Sequence, residues 1–134
     1  RAQGTNEGKE KRRRYAMKYE VTVTGIGDFV LPFMRTRESV IIFDKDVPYE
    51  YENMVVAHTK AEVKADIVVG DTLHLADRSY TVTAVGDEAM KTLREHGHCT
   101  IVFTGKDAVE QPGQIMVKGD GVPRFMVGDI IRFE

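Results

Sequence analysis

At 134 residues, with 42% hydrophobic and 30% charged side chains, the chain has the size and balance of one globular domain with its own core. No run approaches the roughly 18 consecutive apolar residues of a membrane-spanning helix, and a single cysteine, Cys99, excludes an internal disulfide and fits a reducing compartment, so the expected location is the cytoplasm. The net charge of −2 is uneven: residues 1–16 hold six Lys/Arg against two Asp/Glu, which leaves −6 for the rest, a poor match to a phosphate backbone, so nucleic acid is not an expected partner.

The opening stretch "RAQGTNEGKEKRRRYA" (1–16) is nearly free of apolar residues, lacks the apolar centre of a signal peptide and stops at Met17. Its composition predicts a disordered or non-native extension ahead of one domain at 17–134. From there, short alternating runs are separated by Gly, Pro and Asp. Tyr19, Val21 and Val23 alternate with polar neighbours and predict a half-buried strand ending at Gly25 and Gly27. "SVIIFD" (39–44) and "NMVVAH" (53–58) predict two more strands. "TLHLADRSYTVTAV" (72–85) reads as a hairpin that turns at Ala76–Arg78 and puts Leu73, Leu75, Tyr80, Val82 and Ala84 on one face. Further strands are expected at 98–104, 114–119 and 129–134.

One segment breaks the two-residue period. "DEAMKTLREHG" (87–97) has acids first, Ala89, Met90 and Leu93 at helical spacing, and Gly97 where a C-terminal cap belongs, which predicts a helix of about three turns. "VVGDTLHL" (68–75) and "MVGDIIRF" (126–133) share a turn in which Gly supplies positive φ and Asp bonds back to the backbone; recurring turn chemistry explains the pair as well as a duplication does. The whole predicts a mainly β chain: a small single-domain β-barrel or sandwich with one helix, at about 87–96. Exposed sheet edges would favour a homodimer.

Chemistry has few candidates. His74 alternates with Leu73 and Leu75 and so faces solvent. His96 closes the helix, where a cationic ring suits the negative end of the dipole. His96 and His98 with Cys99 fall short of the four ligands of a structural zinc, so no metal is expected, and Cys99 reads as a small buried hydrophobe. Asp44, Asp46, Glu50 and Glu52 read as solvated loop carboxylates. No nucleophile elbow, phosphate-binding glycine loop or zinc-protease motif occurs. His58 remains, either as packing or as a nucleophile working alone. An imidazole, whose ordinary pKa is ~6.5, is mostly unprotonated at neutral pH and can attack an activated phosphorus, given one hydrogen bond to fix its tautomer and donors for the phosphoryl oxygens. Such chemistry requires no cofactor.

The second half, "SYTVTAVGDEAMKTLREHGHCTIVFTG" with "PGQIMVKGDGVP" and "VGDIIRFE", resembles the enzyme IIA component of the glucitol/sorbitol-specific phosphotransferase system, from about Lys18 to Glu134 and most densely over 80–105 and 112–134. Carried over residue by residue, the family's phosphorylated histidine falls on His58, and Glu62-Val63-Lys64 matches its Glu-Leu-Lys run. Gly97-His98 matches its Gly-His, which implies His98 as a neighbour of the phosphoryl group. Thr59-Lys60 stands where a relative can carry Cys-His, and residues 27–50 match poorly. The resemblance implies a relay in which the phosphocarrier protein HPr phosphorylates His58 and His58 passes the group to a cysteine on the IIB component of a membrane-bound permease. This chain would then touch neither the sugar nor the bilayer. Lys60, two residues beyond His58, is expected on the same strand face, where it would screen the phosphate. The alternatives are a β-barrel binding or assembly module with an inert His58 and, as a third option, a metal activity on His96 and His98.

Overall fold

The fold is taken from a computed structural model in which residues 17–134 are described; the expected extension at 1–16 lies outside them. The elements in order are β1 (Tyr19–Ile26), α1 (Val30–Arg37), β2 (Ser39–Asp44), a 3-10 helix (Tyr49–Met54), β3 (Val55–His58), β4 (Thr72–Leu75), β5 (Arg78–Val85), α2 (Ala89–His96), β6 (Cys99–Val102), β7 (Gln114–Lys118) and β8 (Ile130–Phe133). The strands close a barrel in the order β1-β3-β2-β6-β7-β5-β4-β8, with β8 returning to β1. Among the described residues only β2–β3 and β6–β7 run parallel. A mainly β barrel was expected and is found. Among the described residues closure leaves no sheet edge to pair with a second copy, so exposed edges do not support a homodimer.

Alternation builds the interior. Tyr19, Val21 and Val23 of β1, Leu73 and Leu75 of β4, and Ile131 and Phe133 of β8 all point into one core, each 2% exposed or less. Each such side chain contributes about 1.5–3 kcal/mol by leaving water. The predicted hairpin face holds as far as Val82 and then breaks. A bulge between Val82 and Ala84 turns Ala84 outward, against Val102 and Met116, and brings Val85 to the core instead.

The helices differ from expectation in number. α2 forms where predicted, two turns long, and ends at Gly97 with φ +59. α1 was not predicted. It buries Val30 and Met34, one turn apart, and its Pro32 sits in the first turn, where the missing N–H costs no helical bond.

The two halves of the chain repeat. Adding 59 to the residues of β1, α1, β2 and β3 reproduces the second half: Val30–Arg37 becomes Ala89–His96, the pair Val23↔His58 becomes Val82↔Val117, and Ile41↔Val55 becomes Thr100↔Gln114. The irregularity between Val23 and Gly25 recurs between Val82 and Ala84. Loop bonds recur too: Gly27 N–H donates to the Val55 carbonyl at 3.0 Å and Gly86 N–H to that of Gln114 at 2.8 Å. β2 and β6 meet antiparallel, as do β4 and β8, so the halves face each other about a pseudo-twofold axis. The two Val-Gly-Asp turns belong to this symmetry. Asp71 Oδ2 accepts from Val68 N–H and Asp129 Oδ2 from Met126 N–H, and Gly70 and Gly128 share φ +97.

Candidate functional site

His58 ends β3, and the alternation that buries Val56 also turns the His58 ring into the barrel, where both residues are 0% exposed. Around it stand Tyr19, edge-on with ring centroids 6.3 Å apart, and the turn after α2. The turn comes close because Gly97 has no side chain: a Cβ there would lie 2.5 Å from His58 Cε1, 3.0 Å from Nε2 and 3.2 Å from Asp44 Cβ. Gly97 N–H donates to Leu93 at 2.9 Å, and the Thr92 hydroxyl donates to the His98 carbonyl at 2.6 Å, which fixes the turn.

Both ring nitrogens face backbone carbonyls. Nδ1 lies 2.7 Å from the oxygen of Thr59, and Nε2 lies 2.7 Å from that of Gly97. Carbonyls only accept, so a neutral ring satisfies one contact and an imidazolium satisfies both. In this arrangement no lone pair is open to an incoming phosphorus. The relay expected from the resemblance needs a ring that another protein can reach, and the turn at Gly97 closes this one off.

The other candidates are dispersed. β3 stops at His58, so Lys60 does not continue its face. Lys60 is exposed and pairs with Asp46, and this hydrogen bond holds the Lys60 ammonium above its ordinary value and the Asp46 carboxyl below. His98 is half-buried on the outer face, its ring 4.9 Å from that of Phe43, with the exposed His96 stacked on the same ring at 5.8 Å. Burial, with His96 adding to it, holds the His98 imidazole below its ordinary pKa. His74 is tied rather than free: Nε2–H donates to Glu134 at 2.6 Å and the Ser79 hydroxyl donates to Nδ1 at 3.1 Å. Cys99 is fully enclosed, which pushes its thiol up to about 12. Among the described residues no three His, Cys, Asp or Glu side chains gather as a metal site would require.

Three contributors were not read from the sequence. Asp44, expected in solvent, is buried at 6% exposure, with its Oδ1 accepting from Asp46 N–H at 2.9 Å. The Tyr19 hydroxyl is buried with no hydrogen-bond partner among the described residues, and desolvation raises its pKa. Gly97 was expected as a cap but not as the floor against which His58 rests. The signal was present in "GHC", a glycine followed at once by a second candidate histidine.

Residues 18–132 match the family described as "PTS system glucitol/sorbitol-specific IIA component". The chain belongs to that family. It is 32% identical over 116 residues to the glucitol/sorbitol-specific EIIA component of Escherichia coli, covering 87% of this chain and 94% of the relative, and matches that of Shigella flexneri equally. A crystal structure of a PTS system IIA component from Enterococcus faecalis superposes with a TM-score of 0.75 at 24% identity, over 84% of this chain and 97% of the other, which supports the fold. This IIA component is thus a part of a sugar phosphotransferase system, and among its described residues no helix is long and apolar enough to cross a membrane.

Proposed function

We propose that this IIA component carries a phosphoryl group on His58, taking it from phosphorylated HPr and delivering it to the IIB component of a glucitol/sorbitol permease in the cytoplasm. The observation that carries the reading is the placement of His58. The repeat puts Val117 at the equivalent position, so the fold itself needs no imidazole there. A buried ionisable ring without a structural requirement is a functional candidate.

Nε2 is the acceptor atom in this scheme. Nδ1–H stays on the carbonyl of the adjoining Thr59, while the Gly97 carbonyl, 39 residues away in the chain, has to draw back from Nε2 for the reaction. The Nε2 lone pair forms the new P–N bond as the donor's P–N bond breaks. The electron pair of that bond returns to the donor nitrogen, so a donor ring protonated on its other nitrogen leaves as neutral imidazole, while His58 keeps its Nδ1–H and takes up the positive charge. Lys60 is the nearest cation along the chain, and its exposed pairing with Asp46 is weak enough to exchange for phosphate oxygens.

A second reading keeps the relay and moves the acceptor to His98, favoured by a half-exposed ring whose depressed pKa leaves it neutral at pH 7. Incubation with phosphoenolpyruvate, enzyme I and HPr, followed by intact-mass measurement and peptide mapping, decides between them. The expected result is one acid-labile, alkali-stable phosphoryl group, lost in His58→Gln and kept in His98→Gln. The reverse pattern transfers the role to His98, and a chain that never gains 80 Da ends the relay account.

A further inference from the structure

Beside the sealed ring, the outer face of β2 and β3 carries an apolar cleft of roughly 440 Å³ lined by Ile41, Phe43, Tyr51, Met54, Val55 and His98. Tyr51 is 55% exposed and Met54 36%, and Tyr49 stands 86% exposed on the same 3-10 helix. That helix is also acidic. Glu50 and Glu52 flank Tyr51, and among the described residues neither enters an ion pair.

The repeat shows that the fold does not require this surface. At the equivalent positions 59 residues on, Ile41, Tyr51, Met54 and Val55 become Thr100, Glu110, Gly113 and Gln114. Phe43 keeps an apolar counterpart in Val102, but among the described residues the 3-10 helix has none, so its exposed Tyr51 and Met54 belong to the half that holds His58. The cleft also adjoins the closed ring. His98 lines it, and the residue before His98 is Gly97, whose carbonyl covers Nε2. A second cleft, between α1 and the outer sheet, shares Ile41 and Met54 but no residue of the 96–98 turn.

Resting on the reading of His58 as acceptor, we propose that this cleft receives the phosphoryl-donating protein, which presents an apolar side chain ringed by basic groups. A donor must hold its phosphoryl dianion among cations or N–H donors. An acidic rim attracts those same cations, steering encounter and loosening their hold on the phosphate. A side chain seated against His98 bears on the one turn that covers Nε2, so docking and opening of the site are the same event.

The test uses the full chain and HPr. Tyr51→Ser and Met54→Ser alter exposed side chains and leave the core intact. Each is expected to lower kcat/KM for phosphorylated HPr by tenfold or more, and Glu50→Gln with Glu52→Gln to flatten its dependence on salt. Rates within twofold of the parent chain overturn the proposal. In parallel, isotope-labelled His58→Gln chain titrated with unphosphorylated HPr should show amide shifts at 43, 51, 54 and 96–98. Shifts there sustain the docking site even if His58 proves not to be the acceptor. Shifts elsewhere, or cleft shifts that appear on concentrating the chain alone, overturn it; the latter would mark an interface between copies.

Discussion

The two halves of the barrel share a backbone and part company in what they place on it. At the left-handed residue that ends each helix the first half has Glu38, with φ +50, and the second has Gly97, with φ +59. At the end of the third strand the first half has His58 and the second Val117. The pseudo-twofold axis brings one exception from each half to the same spot, so Gly97 of the second half packs on His58 of the first. Symmetry therefore accounts for the fold, and the departures from it mark the candidate site. Glu38 also shows that a left-handed cap here tolerates a side chain. What Gly97 uniquely provides is space.

The largest expected effect breaks that space. In Gly97→Ala the left-handed φ costs about 1–2 kcal/mol, and the Cβ forced onto the His58 ring adds overpacking of about 1–3 kcal/mol. A loss near 3 kcal/mol is expected in urea unfolding. The sharper measurement is a double-mutant cycle. With His58→Ala the ring is gone, and Gly97→Ala should then cost about 1–2 kcal/mol less. Strictly additive losses would mean that the turn does not rest on the ring.

Where the halves agree, the effects should agree too. Gly70 and Gly128 share φ +97, and a Cβ on either meets nothing within 4 Å. Replacing either by Ala costs only the backbone conformation, about 1–2 kcal/mol. The two losses should match within about 0.5 kcal/mol and add in the double variant. Unequal losses would mean that the repeated turns carry different loads.

Much of the fold could be read from the residues, because a half-buried strand writes its face as alternation. Tyr19-Val21-Val23 and Leu73-Leu75 needed nothing more. α1 was hidden because only Val30 and Met34 face inward while apolar Leu31 and Phe29 face water, and Pro32 reads as a break. The bulge at Val82–Ala84 was invisible because Thr83 and Ala84 keep the written alternation while the backbone abandons it. The repeat was legible in more than its Val-Gly-Asp turns, since Val-Thr-Gly-Ile-Gly-Asp (23–28) and Val-Thr-Ala-Val-Gly-Asp (82–87) stand 59 residues apart. At the site, the sequence singled out His58 but could not show what its nitrogens meet, because the partners are backbone carbonyls and carry no residue identity. Lys60 was placed by assuming that the strand continued, and β3 ends at His58.

Lys60 yields the smallest expected effect and bears on the same asymmetry, since its counterpart 59 residues on is Gly119, which carries no charge. The pairing with Asp46 is exposed, so Lys60→Ala should leave the midpoint of urea unfolding unchanged. Its consequence is expected in the phosphorylated chain. If the ammonium leaves Asp46 for the phosphoryl oxygens, its removal should change the lifetime of the phosphoprotein at neutral pH by a few-fold, and the change should shrink as salt screens the charge. An unchanged lifetime in low salt would leave Lys60 and Asp46 as a surface pair, and the phosphoryl oxygens would then have to find their donors among the backbone N–H groups freed when the 96–98 turn moves.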